Sequence, residues 1–449
     1  MVHFFESVDM LMSMSRIHFI GIGGIGVSSL ARFFLSHGEQ VSGSDLAESD
    51  LLEELKKEGV EIYNGHYERN IHPDVGRVIY SAAVKTDNPE LKTAREYGIR
   101  TQSYAQALGE ITKEYYTIAV SGSHGKSTTT AMLALILEKA KLDPTVIIGT
   151  KLREWKGKNF RKGKSKYLVI EADEWNRSFH EYHPQIAVIT NIDNEHLDTY
   201  NDFKGVVSGF EKYIDRIPEN GYLIANAKDK ALFKIAKALQ QKKNMRVVLY
   251  NEKKFQEHNL QVPGIHNQVN AEAAWQVAKL LGVQRSTAEA VFNKFTGTWR
   301  RMERLKVLKK TGFSSIIMYS DYAHHPTEIQ ATLAALRSEY PKACLICVFE
   351  PHQQDRLTRL FNDFVRSFKA ADKAVILPFY KVAGREAGNG KDSFDLAQAM
   401  KHSKPNTFFA PDFDAAIKLI KNENTRAQKV VVFMGAGDID TKIRKFLTE

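Results

Sequence analysis

The run Val120-Ser121-Gly122-Ser123-His124-Gly125-Lys126-Ser127-Thr128-Thr129-Thr130 constrains this chain more than any other stretch. The apolar segment Tyr115 to Val120 reads as a buried strand, and Ala131 to Leu137 reads as a helix. A strand, a glycine turn ending in Lys-Ser and a helix form a phosphate-binding loop. Backbone N–H groups at the helix start face the anion, Lys126 adds a point charge, and the Ser127 hydroxyl can ligate a divalent cation. The full pattern has glycine where Val120 stands, so the loop is a shortened version. Gly122, Ser123, His124, Gly125, Lys126, Ser127 and Thr128 are expected to hold the phosphates of ATP or GTP.

A second glycine turn lies nearer the start. Ile17 to Ile20 reads as a strand, followed by Gly21-Ile22-Gly23-Gly24-Ile25-Gly26 and a helical stretch through Leu35. Gln40 to Gly43 reads as the next strand and ends at Ser44-Asp45. A G-x-G-x-x-G turn with an acidic residue about 20 positions on lets the backbone approach a diphosphate at a helix N-terminus. The pattern does not say which nucleotide. His66 in Tyr63-Asn64-Gly65-His66, and Ser81-Ala82-Ala83, follow strand-like segments and belong to the sheet edge where ligands bind.

Beyond the phosphate loop, Tyr167 to Ile170 reads as a strand ending on Glu171-Ala172-Asp173-Glu174. Ile186 to Asn191 reads as another, ending on Ile192-Asp193-Asn194-Glu195-His196-Leu197-Asp198. Carboxylates and an imidazole at the carboxyl ends of parallel strands are where Mg²⁺ ligands belong. Glu171 reads as a metal ligand rather than a helix cap, and His196 is the second candidate. Further strands are expected at Ser315–Ser320, Leu345–Phe349, Ala374–Leu377 and Val430–Met434, with one helix over Arg359–Phe368. Strand–helix alternation with long apolar strands predicts parallel sheets covered on both faces. The chain is thus α/β in three domains: 1–114, Rossmann-like; 115–298, a P-loop ATPase-type domain; 299–449, Rossmann-like again.

Composition narrows the function classes. A 43% hydrophobic and 26% charged chain is ordinary for a globular protein, and no apolar run approaches a bilayer-spanning length. Met1 to Met14 carries Glu6 and Asp9, and reads as neither signal nor transit peptide. A cytoplasmic location is expected. The net charge of +10 is densest over Lys151 to Lys166, which reads as a solvated connection or hairpin between strands. No nucleic-acid-binding pattern accompanies it. Cys344 and Cys347, the only cysteines, fall inside an apolar strand and read as core residues.

Five motifs occur in the order seen in the Mur ligases, and the chain resembles that family from about Ile17 to Asp440. They are Gly21 to Gly26, Ser123 to Ser127, Glu171 to Glu174, Gly264-Ile265-His266-Asn267-Gln268-Val269-Asn270, and Asp321-Tyr322-Ala323-His324-His325-Pro326. The resemblance implies an ATP- and Mg²⁺-dependent, ADP-forming amide ligase of peptidoglycan precursor synthesis. Gly435-Ala436-Gly437-Asp438-Ile439 and His324 to Glu328 resemble the branch that joins L-alanine to UDP-N-acetylmuramate through an acyl phosphate.

On that resemblance Gly23, Gly24 and Gly26 would meet the UDP diphosphate, with Asp45 and His66 near the ribose or uracil. Lys126, Glu171, His196 and Arg301 would be catalytic, Arg301 reaching the transferred phosphate. Ser127, Glu171 and His196 would bind the metal. His266, Asn267 and Asn270 would line the adenine, and Asp321 the ATP ribose. Tyr322, His325, His352 and Arg356 would contact the substrates, and His196 or His325 would take the amine proton. The small-molecule partners would be UDP-N-acetylmuramate and an amino acid, with no nucleic acid and no membrane insertion, on a monomer or weak homodimer. One departure bears on the acceptor. The L-alanine branch carries Pro-His-Arg, whereas Pro351-His352-Gln353-Gln354-Asp355-Arg356 has Gln353, which cannot supply a charged fork, and Arg359 could contribute instead. Phe379 to Glu386 also departs from the family's acidic stretch. Glycine, L-serine or an intact tripeptide, as in the recycling ligase, remain alternatives to L-alanine.

Overall fold

Alternation of buried apolar strands with amphipathic helices builds three separate sheets. The computed structural model describes residues 16–448, apart from 243–244, 252–256, 309–315, 381–389, 405, 424 and 426. The reading of residues 1–14 and most of the stretch 379–386 therefore lie outside the described residues. The chain divides into two compact units, one of Met1–Phe255 with Glu272–Val291, the other of Gln256–Ala271 with Phe292–Glu449.

The first unit holds two sheets. Strands β1 (Arg16–Ile20), β2 (Val41–Asp45), β3 (Glu61–Asn64), β4 (Val75–Tyr80) and β5 (Arg100–Ser103) pair in the order β3-β2-β1-β4-β5, all parallel. Helices α1 (Ile25–Ser36), α2 (Asp50–Lys57), α3 (Pro89–Glu96) and α4 (Tyr104–Glu114) accompany them. The second sheet comprises β6 (Tyr116–Ser121), β7 (Thr145–Leu152), β8 (Lys158–Arg161), β9 (Tyr167–Glu171), β10 (Ile186–Ile189), β11 (Tyr222–Asn226) and β12 (Arg246–Tyr250). Its order is β12-β11-β10-β6-β9-β7-β8. The central strand β6 lies between β9 and β10, with Val120 paired to both Glu171 and Val188. Helix α5 (Lys126–Lys139) leaves β6 through the glycine turn. That register brings Glu171 to the mouth of the phosphate loop.

The basic segment is the hairpin that the sequence offered, with Arg153, Lys156, Lys162, Lys164 and Lys166 exposed. It makes β7, a 3₁₀ turn at Arg153–Trp155 and the antiparallel edge strand β8. Three of its cations meet carboxylates: Lys151 with Glu54 (2.8 Å), Lys158 with Glu58 (3.2 Å) and Arg161 with Asp143 (2.6 Å). Arg32 of α1 meets the same Glu54 and Glu58, and its guanidinium also donates to buried Asn159 of β8 (2.5 Å). Sequence patterning shows a charge run but not the acidic face of α2 that answers it.

The third sheet, in the second unit, runs in the order β13-β14-β18-β15-β16-β17. Its strands are β13 (Glu303–Leu308), β14 (Ile316–Asp321), β15 (Cys344–Phe349), β16 (Lys373–Ile376), β17 (Thr407–Phe409) and β18 (Lys429–Met434). Only β13 pairs antiparallel. Cys347 is fully buried in β15 and both cysteines are free thiols. The helix expected over Arg359–Phe368 is Phe361–Ser367, and a separate short helix, Gln354–Arg359, precedes it across a break at Leu360 (φ −107°, ψ 21°). The break is invisible to periodicity because Leu357, Leu360 and Phe364 stay on the buried side across it.

At the carboxyl edge of the first sheet a fully buried carboxylate, Glu90, ties three segments together. It accepts from Ser44 Oγ (2.6 Å) at the end of β2 and from Asn70 Nδ2 (2.5 Å), and lies 3.2 Å from His66 Nδ1 and 3.7 Å from His18 Nε2. Burial would raise its pKa, but His18, His66 and Ser44 outweigh it and hold the carboxyl at about 2 against an ordinary 4.5. A depressed pKa contributes stability above 4.5 that is lost as the pH falls toward 2. Glu90→Gln should therefore destabilise this sheet at pH 7 by on the order of 2–3 kcal/mol. Thermal unfolding of variant and parent across pH 7 to 3 should show the difference narrowing below pH 4.5, and a constant difference would contradict the assignment.

Candidate active site

The phosphate loop is held in shape from three directions. Gly122 (φ +124°) and Gly125 (φ +87°) adopt left-handed backbone that side-chain-bearing residues resist, and Gly125 caps α5. Between them, His124 N donates to Asn191 Oδ1 (2.9 Å), and His124 O accepts from Thr190 Oγ1 (2.6 Å) and Asn191 Nδ2 (2.9 Å). His124 Nε2 meets Asp193 Oδ2 (2.9 Å), and Ser123 Oγ accepts from Asp193 N (2.9 Å). The segment after β10 is thus a template for the loop. Thr128 follows Ser127 in the first turn of α5, and both are buried.

Lys126 Nζ donates to Gly122 O (2.8 Å) and to Glu174 Oε2 (2.8 Å), and lies 3.8 Å from Asp173. Burial opposes its charge, but Glu174 and Asp173 outweigh burial and hold its pKa above the ordinary lysine value. Burial likewise opposes ionisation of Asp173, yet Lys126 and His196 keep it below the usual carboxylate range. Ser127 Oγ donates to Glu171 Oε1 (2.8 Å), whose other oxygen accepts from Gly149 N (2.9 Å). Asp173, Glu174 and His196 each offer a donor atom within 4.8 Å of the others. Sequence reasoning grouped Ser127, Glu171 and His196. The structure pairs the first two and sets His196 Nε2 3.7 Å from Glu174 Oε1. Asp173, Glu174, Asn191 and Asp193 carry the site as much as the expected residues do. Each lies in a motif that the sequence marks, but only the folded register shows which atoms meet. This oxygen-rich set suits a hard divalent cation such as Mg²⁺.

At the first sheet, Gly24 caps α1 and Gly26 lies in its first turn. Asp45 Oδ2 accepts from Gly23 N (2.8 Å) and Oδ1 from Ala47 N (3.3 Å), so this carboxylate closes the glycine turn itself. His66 Nδ1 is turned toward Ser44 Oγ (2.9 Å) and Glu90.

In the second unit, buried Asp321 accepts from Met302 N (2.7 Å) and Ala323 N (2.7 Å), and burial pushes its pKa up to about 6. His325 caps the helix Pro326–Glu339, accepting from Thr327 N (3.3 Å). Arg301 donates to Glu328 (3.1 Å), whereas buried Arg300 donates to Gly435 O (2.5 Å) and Gly437 O (2.9 Å). Both guanidiniums lie over the Tyr322 ring, at 4.8 Å for Arg300 and 5.1 Å for Arg301. Asn267 Nδ2 donates to Pro263 O (2.7 Å), Asn270 is buried, and burial lowers His266 to about 4, leaving a neutral ring. His352 stacks on Tyr380 (5.9 Å), and Arg356 is buried one turn on. Gln353 stands at φ +67°, and Arg359 pairs with exposed Asp355 on its own helix.

Three stretches match one family: "Mur ligase family, catalytic domain" over residues 16–116, "Mur ligase middle domain" over 120–268, and "Mur ligase, glutamate ligase domain" over 300–437. UDP-N-acetylmuramate–L-alanine ligase of Acetivibrio thermocellus is 39% identical over 450 residues, covering 94% of each chain. The protein of the same name from Caldicellulosiruptor saccharolyticus is 37% identical, covering 97% of this chain and 98% of its own. The solved UDP-N-acetylmuramate-alanine ligase of Thermotoga maritima is similar with a TM-score of 0.79 at 27% identity, covering 96% of this chain and 98% of its own. A murein peptide ligase from Psychrobacter arcticus gives 0.69 at 25% identity, covering 97% and 98%. With its matched regions running from residue 16 to 437, the chain belongs to the Mur ligase family.

Proposed function

We propose that this protein is a cytoplasmic, ADP-forming ligase that joins L-alanine to UDP-N-acetylmuramate in peptidoglycan precursor synthesis. The observation that carries the ATP part is the phosphate loop, in which Lys126 and Ser127 each meet a carboxylate, Glu174 and Glu171. The acceptor rests on full-length relatives named for L-alanine, and no helix of the described residues is long and apolar enough to cross a membrane. Residues 1–114 are assigned to the UDP-sugar, 115–298 to ATP and 299–449 to the amino acid. Gly23, Gly24, Gly26, Asp45 and His66 belong to the first assignment, the last two as supports of the turn and edge that receive the nucleotide. Tyr322, His325, His352 and Arg356 remain assigned to the substrates.

A carboxylate is a poor electrophile, so the γ-phosphoryl is first moved onto it, and the amine then displaces phosphate from the acyl phosphate. Positioning and charge neutralisation carry the first step. Lys126 exchanges Glu174 for a phosphate oxygen while the amides at the start of α5 hold the neighbouring phosphates. Ser127, Glu171, Asp173 and His196 would hold Mg²⁺, which supplies charge neutralisation between the triphosphate and the substrate carboxylate. His266, Asn267, Asn270 and Asp321 keep their assignment to adenosine, and Arg301 to the transferred phosphate.

Phosphate release with ATP, Mg²⁺, UDP-N-acetylmuramate and L-alanine tests this reading. Lys126→Ala should lower turnover at least about 100-fold at temperatures where the variant is still folded, since the lysine stabilises developing charge, and should also lower the melting temperature because buried Glu174 loses its cation. No release from the parent protein with any acceptor would refute the ligase assignment. Offering glycine, L-serine and the recycling tripeptide in parallel should leave L-alanine the preferred acceptor by about tenfold or more. Turnover with the tripeptide alone would move the protein to the recycling reaction, and preference for another amino acid would trace to Gln353.

A further inference from the structure

Tyr104 is the first residue of α4, and a reciprocal cap fixes its backbone: Ser103 Oγ accepts from Gln106 N (3.2 Å) and Gln106 Oε1 from Ser103 N (2.9 Å). From this rigid point the phenol reaches α1 and covers Gly26. A Cβ built on Gly26 would stand 3.2 Å from the Tyr104 hydroxyl and 3.3 Å from Cζ, so the ring occupies the space beside the helix start. The half-buried hydroxyl makes no hydrogen bond to any described residue. Burial raises its pKa, and the phosphate-loop carboxylates Glu171 and Asp173 raise it further, so at neutral pH it is a neutral donor.

A fixed donor without a protein acceptor lies against the N-terminal turn of a helix whose amides favour anions. It is also within electrostatic reach of the carboxylates beside Lys126 and Ser127. The position suits a ligand that begins at the glycine turn and ends at the phosphate loop, which is the demand placed on the UDP-sugar by the function proposed above. We infer that Tyr104 is a substrate-binding residue whose hydroxyl donates a hydrogen bond to an anionic oxygen of UDP-N-acetylmuramate. The acceptor is an oxygen of the diphosphate or of the reacting carboxylate; both are acceptors only, as the donor requires. Nothing in the local sequence connects this tyrosine to Gly26, 78 positions earlier.

Tyr104→Phe keeps the ring and removes only the hydroxyl. Calorimetric titration of the full chain with UDP-N-acetylmuramate should show about tenfold weaker binding for the variant, the loss expected for one hydrogen bond to a charged acceptor. ATP affinity and melting temperature should match the parent. Titration with UDP alone separates the two sources: equal weakening assigns the diphosphate, and unchanged UDP binding assigns the carboxylate. UDP-N-acetylmuramate affinity within about twofold of the parent would overturn the inference. So would a loss shared by ATP and accompanied by a lower melting temperature, which would make Tyr104 a packing residue over Gly26. These titrations need no turnover, so failure of the ligase reading, measured separately by phosphate release from the parent, is distinguishable from failure of this one.

Discussion

The ion pair between Lys126 and Glu174 is the constraint on which the rest of the site depends. A lysine drawn into a loop of backbone donors loses solvation, and only a close carboxylate keeps it charged there. Glu174 is fully buried, and burial pushes its carboxyl above the usual range; Lys126 is the largest influence opposing that shift. On the function proposed above, the pair holds a cation ready for phosphate, at 2.8 Å from a partner that an anionic ligand would replace. Removing either side leaves an uncompensated buried charge, which is more costly than losing the pair.

Topology delivers the partners. Because β6 lies at the centre of its sheet, the chain ends of β9 and β10 flank the loop that leaves it. From the end of β9 and the residues just after it come Glu171, Asp173 and Glu174; from the segment after β10 come Thr190, Asn191 and Asp193. One strand set supplies charge and the other supplies shape. The first sheet uses a similar arrangement on a smaller scale, with Asp45 closing the glycine turn and Glu90 locking His66, Ser44 and Asn70. In both, carboxylates at carboxyl ends of parallel strands or on the next helix organise the edge where ligands bind.

What was legible in the sequence was local. The loop from Gly122 to Thr128 and the turn from Gly21 to Gly26 each declare themselves within a dozen residues, because strand, turn and helix are contiguous there. The strands at Ile17, Tyr167, Ile186, Leu345 and Val430 were equally plain from their apolar runs. Pairings over long separations were not. The acidic face of α2 that answers Lys151 and Lys158, the use of Asp45 oxygens on the turn's own amides, and the cover that Tyr104 gives Gly26 depend on how helices stack. The break at Leu360 escaped for the opposite reason: the apolar pattern continues through it. His196 was expected beside Ser127 and Glu171, yet its left-handed backbone (φ +53°) at the head of a short helix sets it by Glu174 instead.

The most direct measurement is a structure of the full chain with Mg²⁺ and a non-hydrolysable ATP analogue. Lys126 Nζ should leave Glu174 for a phosphate oxygen, with Ser127 and Glu171 at the cation and the loop from Gly122 to Gly125 unchanged. A lysine still paired with Glu174, and phosphates lodged away from the start of α5, would contradict the proposed function.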